Sequence, residues 1–168
     1  MDAIEKEIRA ENWLKARKLI RAALKNNQDD HWLLTRLGLT YYEQYQYKRS
    51  LIYIKQALAI APRCPLVLWD YAGSLEMLGN YKKAIAVYRS LVRRGVKRIA
   101  YGECGEGIAS ARGLICDCHY RLAGCYKEAA KIKEALKQFD EHLKMRGPGC
   151  RSIYSIVQVR KEKQRLLR

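Results

Sequence analysis

The stretch Leu34-Thr35-Arg36-Leu37-Gly38-Leu39-Thr40-Tyr41, followed by Tyr47, Ser50, Ile54, Ala57 and Pro62, decides the fold. Leu34, Leu37 and Tyr41 recur at the three- and four-residue steps of one helix face, and Ser50, Ile54 and Ala57 do the same in a second helix. Gly38 and Ser50 are small where the two helices must cross closely, and Pro62 ends the second.

Working outward, the same residue classes return at fixed spacing. Ala16, Ser50 and Ala84 lie 34 residues apart, as do Trp13, Tyr47 and Tyr81, and Ile20, Ile54 and Tyr88. Leu37, Gly38 and Tyr41 are answered by Tyr71, Ala72 and Leu75. Such a period means helix pairs that cannot bury their apolar faces alone and must stack. The phase then slips. Gly79-Asn80-Tyr81-Lys82-Lys83-Ala84 reads as returning at Gly124-Cys125-Tyr126-Lys127-Glu128-Ala129, 45 residues later. That predicts an insertion at 99–109, rich in glycine (Gly102, Gly105, Gly107). In this register Asp117 occupies a small-residue slot and Lys133 an aromatic one, so the last repeat reads as an atypical, terminal one.

Over about residues 3–146 the pattern resembles the tetratricopeptide repeat (TPR) family. The resemblance implies an all-α, right-handed superhelical solenoid of antiparallel helix pairs closed by a C-terminal capping helix. The expected organisation is one domain over 1–168: a partial repeat at 1–30, repeats at 31–64, 65–98 and 110–146, and a last helix within 150–168. The predicted helices are 3–10, 12–26, 31–44, 47–60, 65–78, 81–95, 107–122, 126–145 and 152–167. Asp2 with Glu5 reads as a capping box, Gly147-Pro148-Gly149 as a break and Ser152 as an N-cap. Ile153, Ile156 and Val157 are expected to seal the end of the stack, with the rest of that helix in solvent.

The resemblance also implies that the first helix of each pair lines a concave surface. In the register above its rows are Trp32, Leu66 and Ala111; Thr35, Trp69 and Leu114; Leu39, Gly73 and Cys118; and Tyr42, Glu76 and Arg121. The expected groove, formed by Trp32, Thr35, Leu39, Tyr42, Leu66, Trp69, Gly73, Met77 and Arg121, would hold a protein or peptide by its aromatic anchors. The competing expectation is that the insertion or the last helix folds into it. Family members that clamp acidic chaperone tails use Lys, Asn and Arg on this face; the Asn and Lys are missing here.

Charge offers a second expectation. Of the net +16, most sits in two segments: Lys82, Lys83, Arg89, Arg93, Arg94, Lys97 and Arg98 within 81–100, and Arg160, Lys161, Lys163 and Arg165 within 151–168. Such segments attract nucleic acid or an acidic protein, or simply solvate a helix face. Self-association through the open ends of the stack is a third mode.

Catalysis is not expected. Cys118 and His119 are adjacent and diverge on a helix. The loop Tyr101-Gly102-Glu103-Cys104-Gly105-Glu106-Gly107 lacks the Lys-Ser/Thr of a phosphate loop. Asp117 is expected to pair with Arg121 or to accept backbone N–H groups from the insertion. The six cysteines lack paired zinc spacing, so no metal and no cofactor is implied. With no secretory signal and no apolar run of membrane-spanning length, the expected location is the cytoplasm, with no membrane partner.

Overall fold

The structure, a computed structural model, describes residues 2–168. Among these there are nine helices and no strand, so the fold is all-α and TPR-like. The proposed capping box at Asp2 lies outside the described side chains. The chain divides into two compact units, Met1–Leu78 and Gly79–Arg168.

The first unit holds α1 (Asp2–Arg9), α2 (Trp13–Asn26), α3 (His31–Tyr42), α4 (Tyr47–Ile60) and α5 (Pro65–Met77). Each packs on the next, and α5 also reaches α3. Starts and turns follow local chemistry. Asp30 caps α3 by accepting the Leu33 N–H at 3.0 Å. Pro65 opens α5, where a missing N–H costs nothing. Ile4, Ile20, Leu33, Leu37 and Tyr41 form the core, with Trp32 and Tyr53 packed against it. Gly38 lets α3 and α4 cross closely: a Cβ there would lie 2.5 Å from Ile54 Cδ1, so Ile54 would have to shift. Ser50 and Ser74, both buried, face each other at 3.2 Å between their hydroxyls.

The second unit holds α6 (Tyr81–Ala100), α7 (Ile108–Glu128), α8 (Ile132–Met145) and α9 (Ile156–Arg165). Helix α6 breaks at Gly95, whose φ of 73° and ψ of 163° are not helical, and five further residues follow as a short helical piece. Helix α7 packs on both α6 and α8, and α9 packs on α8.

Turn geometry corrects the register of the last pair. Tyr45 has a φ of 60°; its N–H donates to Tyr42 O at 2.9 Å, Gln46 N–H donates to Tyr41 O at 2.9 Å, and Ser50 N–H to Gln46 O at 3.0 Å. The same pattern recurs at Ala130: φ 56°, Ala130 N–H to Lys127 O at 2.9 Å, Lys131 N–H to Tyr126 O at 2.8 Å, Ala135 N–H to Lys131 O at 3.0 Å. Ala130, not Gly124, therefore answers Gly79, and Gly124 lies inside α7. The small-residue slots fall on Ala123 and Ala135 and the aromatic slot on Phe139, all buried. Asp117 and Lys133 do not hold those slots, and the last pair matches the repeat well. The offset from Gly79 to Ala130 is 51 residues, so the insertion is 17 residues long. It covers residues 99–115 and includes the first two turns of α7.

The C-terminal end also departs from expectation. Ser155, not Ser152, caps α9 by accepting the Gln158 N–H at 3.1 Å. Ile153 and Val157 are exposed; the sealing residues are Val159 and Leu166, packed with Tyr154 around Ala123 and Phe139. The second half of α9 is docked rather than free, with Lys163 Nζ 2.5 Å from Asp140 Oδ1.

Candidate functional site

In the first unit the expected groove residues separate into two kinds. Trp32, Leu39, Tyr42, Leu66 and Trp69 are half-buried and Met77 is 42% exposed, so these six present apolar surface on α3 and α5. Thr35 and Gly73 are buried, and Thr35 donates its hydroxyl to His31 O at 2.6 Å within its own helix. Trp32 and Tyr42 are also held internally. The Arg36 guanidinium sits 5.2 Å over the Trp32 ring while its Nε lies 2.6 Å from Glu5 Oε1, and Tyr42 meets Tyr47 edge-on at 5.2 Å.

Acidic groups accompany these apolar residues. Glu43 follows α3, and Asp70 and Glu76 lie on α5. Burial, reinforced by the nearby Glu43 charge and opposed by Arg36, pushes the Asp70 carboxyl up to about 7.

The second unit differs. Residues 146–155, joining α8 to α9, run across α7 as a strap. The Ser152 hydroxyl donates to Asp117 Oδ1, and Ile153 N–H donates to Oδ2 at 3.3 Å. Tyr154 stacks on Tyr120 with ring centroids 3.8 Å apart, and its hydroxyl receives Arg121 Nη1 at 3.4 Å. Gln158 reaches the Tyr120 hydroxyl at 3.1 Å. In the corrected register, Asp117, Tyr120 and Arg121 are the counterparts of Trp32, Thr35 and Arg36. The chain's own strap thus covers, on α7, the counterparts of two expected groove residues, Trp32 and Thr35, together with Arg121 itself. Asp117 turns to the strap rather than to Arg121 or the insertion, and Arg121 turns to Tyr154. Ala111 and Cys118, also assigned to groove rows, are buried.

Sequence spacing missed one Cys–His contact. Cys116 Sγ lies 3.4 Å from His142 Nδ1, and that nitrogen is 2.8 Å from Cys116 O. Both residues are fully buried. Burial pushes the Cys116 thiol up to about 12 and lowers the His142 imidazole, the reverse of the ion pair a nucleophilic dyad needs. His119, the histidine weighed from sequence, instead contacts Gln138 Oε1 at 2.8 Å.

The basic residues are partly neutralised. Lys163 pairs with Asp140 and Arg165 with Glu162, and Arg94 is half-buried. Lys82, Lys83, Arg89, Arg93, Lys97, Arg98, Arg160 and Lys161 are exposed. The second unit carries twenty-one basic and eight acidic residues, so it holds most of the net charge. No helix of the described residues is long and apolar enough to cross a membrane.

The tetratricopeptide repeat profile matches residues 5–62 and 35–96, more than half of the chain. The chain belongs to the tetratricopeptide repeat family. Solved TPR structures share its fold at low identity. MamA from Desulfovibrio magneticus RS-1, residue 41 to the end, superposes with a TM-score of 0.69 at 13% identity, covering 98% of this chain and 84% of that one. A further MamA structure gives 0.68 at 14%, covering 99% and 94%. A thermophilic TPR protein of Thermus thermophilus, TTC0263, gives 0.68 at 15%, covering 98% and 77%. No curated relative matches the sequence. The repeat fold is that of protein-interaction scaffolds.

Proposed function

We propose that this TPR protein is a non-enzymatic adaptor that holds a protein segment against α3 and α5 of its first unit. The observation that carries this reading is the set of apolar side chains left partly open there: Trp32, Leu39, Tyr42, Leu66, Trp69 and Met77. Partly exposed aromatic and Met side chains on neighbouring helices are the usual anchors of a bound segment. The exposed Glu43 favours a segment carrying a basic residue beside its apolar ones.

A second reading rests on α6, where Lys82, Lys83, Arg89, Arg93, Lys97 and Arg98 are exposed and, among the described residues, make no ion pair. Such a face suits an acidic partner, nucleic acid included. The two readings separate by salt, because phosphate contacts release counterions and apolar anchoring does not.

The experiment is capture of partners from native lysate at low and high salt. The variants are Trp69→Ala and a triple replacement of Arg93, Arg94 and Arg98 by Glu. The adaptor reading expects capture that survives salt and is lost in Trp69→Ala. If Trp69→Ala captures normally while the charge reversal abolishes capture, the adaptor reading is wrong.

A further inference from the structure

We propose that Cys116 and Cys150 are a redox pair: a reversible disulfide between them fastens the strap onto α7 over Tyr120 and Arg121. The pair is not a framework disulfide, since all six cysteines are free thiols in this structure.

The geometry rests on three contacts that bracket the two thiols. Gly113 lies against the strap backbone so closely that a Cβ there would be 2.6 Å from Arg151 O. Asp117 holds Ser152 and Ile153. Cys116 lies one residue before Asp117 and one turn after Gly113, and Cys150 precedes Arg151. These contacts place Cys150 beside Cys116, and burial together with the neighbouring Cys150 thiol pushes the Cys116 thiol up. Arg146, the first residue of the strap, braces it internally, donating Nη1 to Cys150 O and Ser152 O at 3.4 Å each.

The two thiols differ in access. Cys150 is half-buried and Cys116 is fully buried beside His142 and Asp117. A small-molecule disulfide therefore meets Cys150 first. The Cys150 thiolate attacks one sulfur of glutathione disulfide, whose S–S bond breaks and releases one glutathione thiolate. Cys116, on losing its proton, then attacks Cys150 Sγ and expels the second glutathione thiolate. Two protein thiols are oxidised to one disulfide, one glutathione disulfide is reduced to two thiols, and the two protons pass to those thiols. The high barrier to ionising Cys116 makes the second step the slow one.

Before oxidation the strap is held by the Tyr154 stack and a few hydrogen bonds, a set of contacts that opens locally at low cost. After oxidation it cannot leave α7. The experiment equilibrates the full chain with glutathione disulfide, maps peptides by mass spectrometry and follows amide exchange over 147–155. The expected result is a Cys116–Cys150 crosslink with no glutathione retained and strap exchange slowed by about tenfold. Cys150→Ser should show neither change and keep the reduced protein's exchange pattern. The proposal is overturned if Cys150 keeps glutathione while Cys116 stays a thiol, if Cys116 pairs with another cysteine, or if both thiols survive while a cysteine peptide in the same tube is fully oxidised.

Discussion

The carboxylate of Asp117 on α7 accepts the hydroxyl of Ser152, thirty-five residues further along the chain. A buried acid is tolerated only when it is paired or hydrogen-bonded, and here the strap supplies the donors. Burial raises the Asp117 carboxyl and the two strap donors pull it back. The strap and the acid thus depend on each other, and the first prediction concerns that dependence.

Gly113→Ala should dislodge the strap, because its methyl group would meet backbone rather than a movable side-chain tip. The expected loss is about 1–3 kcal/mol of stability, the usual cost of forced overpacking. Limited proteolysis after Arg151 should quicken in step with it. Unchanged cleavage with unchanged denaturant midpoint would contradict the strap's tight seat.

Phe139→Ala and Lys133→Ala distinguish the two registers of the last pair. With Phe139 buried in the aromatic slot, its truncation should cost about 3–5 kcal/mol. Lys133 is exposed, and its truncation should stay within about 0.5 kcal/mol. Urea denaturation of both variants is sufficient; equal losses would favour the register that places Lys133 in the slot.

Asp70 gives a pH dependence of definite sign. Its folded carboxyl is pushed up to about 7, above the ordinary 3.8, so the folded state binds the extra proton between those values. Stability from this group is therefore full below about pH 4, falls as pH rises towards 7, and is flat beyond. Asp70→Asn should remove that slope and raise stability at pH 8 by an amount on the order of 2–4 kcal/mol. Thermal denaturation from pH 4 to 8 checks it; a parallel pH profile in the variant would refute the assignment.

Ser50 and Ser74 satisfy each other in a buried setting. Removing one hydroxyl strands the other, so Ser50→Ala and Ser74→Ala should each cost about 1–2 kcal/mol. The double variant should cost less than their sum, with a coupling of about 0.5 kcal/mol or more. Strict additivity in a double-mutant cycle would show that the pair does not interact.

The helices of the first unit are legible in the sequence because Leu37, Gly38, Tyr41, Ser50 and Ile54 repeat local requirements of packing that spacing alone reveals. Spacing misplaces the last pair because Gly124-Cys125-Tyr126 imitates Gly79-Asn80-Tyr81. The real turn is carried by Ala130, which adopts a left-handed φ without glycine. The strap is illegible for a different reason. Asp117 with Ser152, and Cys116 with Cys150, are long-range pairs that no helical period encodes. Thr35 and Gly73 turn out buried because a position on an inward row says nothing about how deeply the neighbouring helix covers it.

The 17 residues that break the period also supply the first two turns of α7, and Gly113 is among them. An array of evenly pitched pairs has no such ledge. Excising the insertion would give the chain a uniform rhythm and, in the same cut, take away the close seat that Gly113 offers the C-terminal segment, leaving it to Asp117, Tyr120 and Arg121 alone.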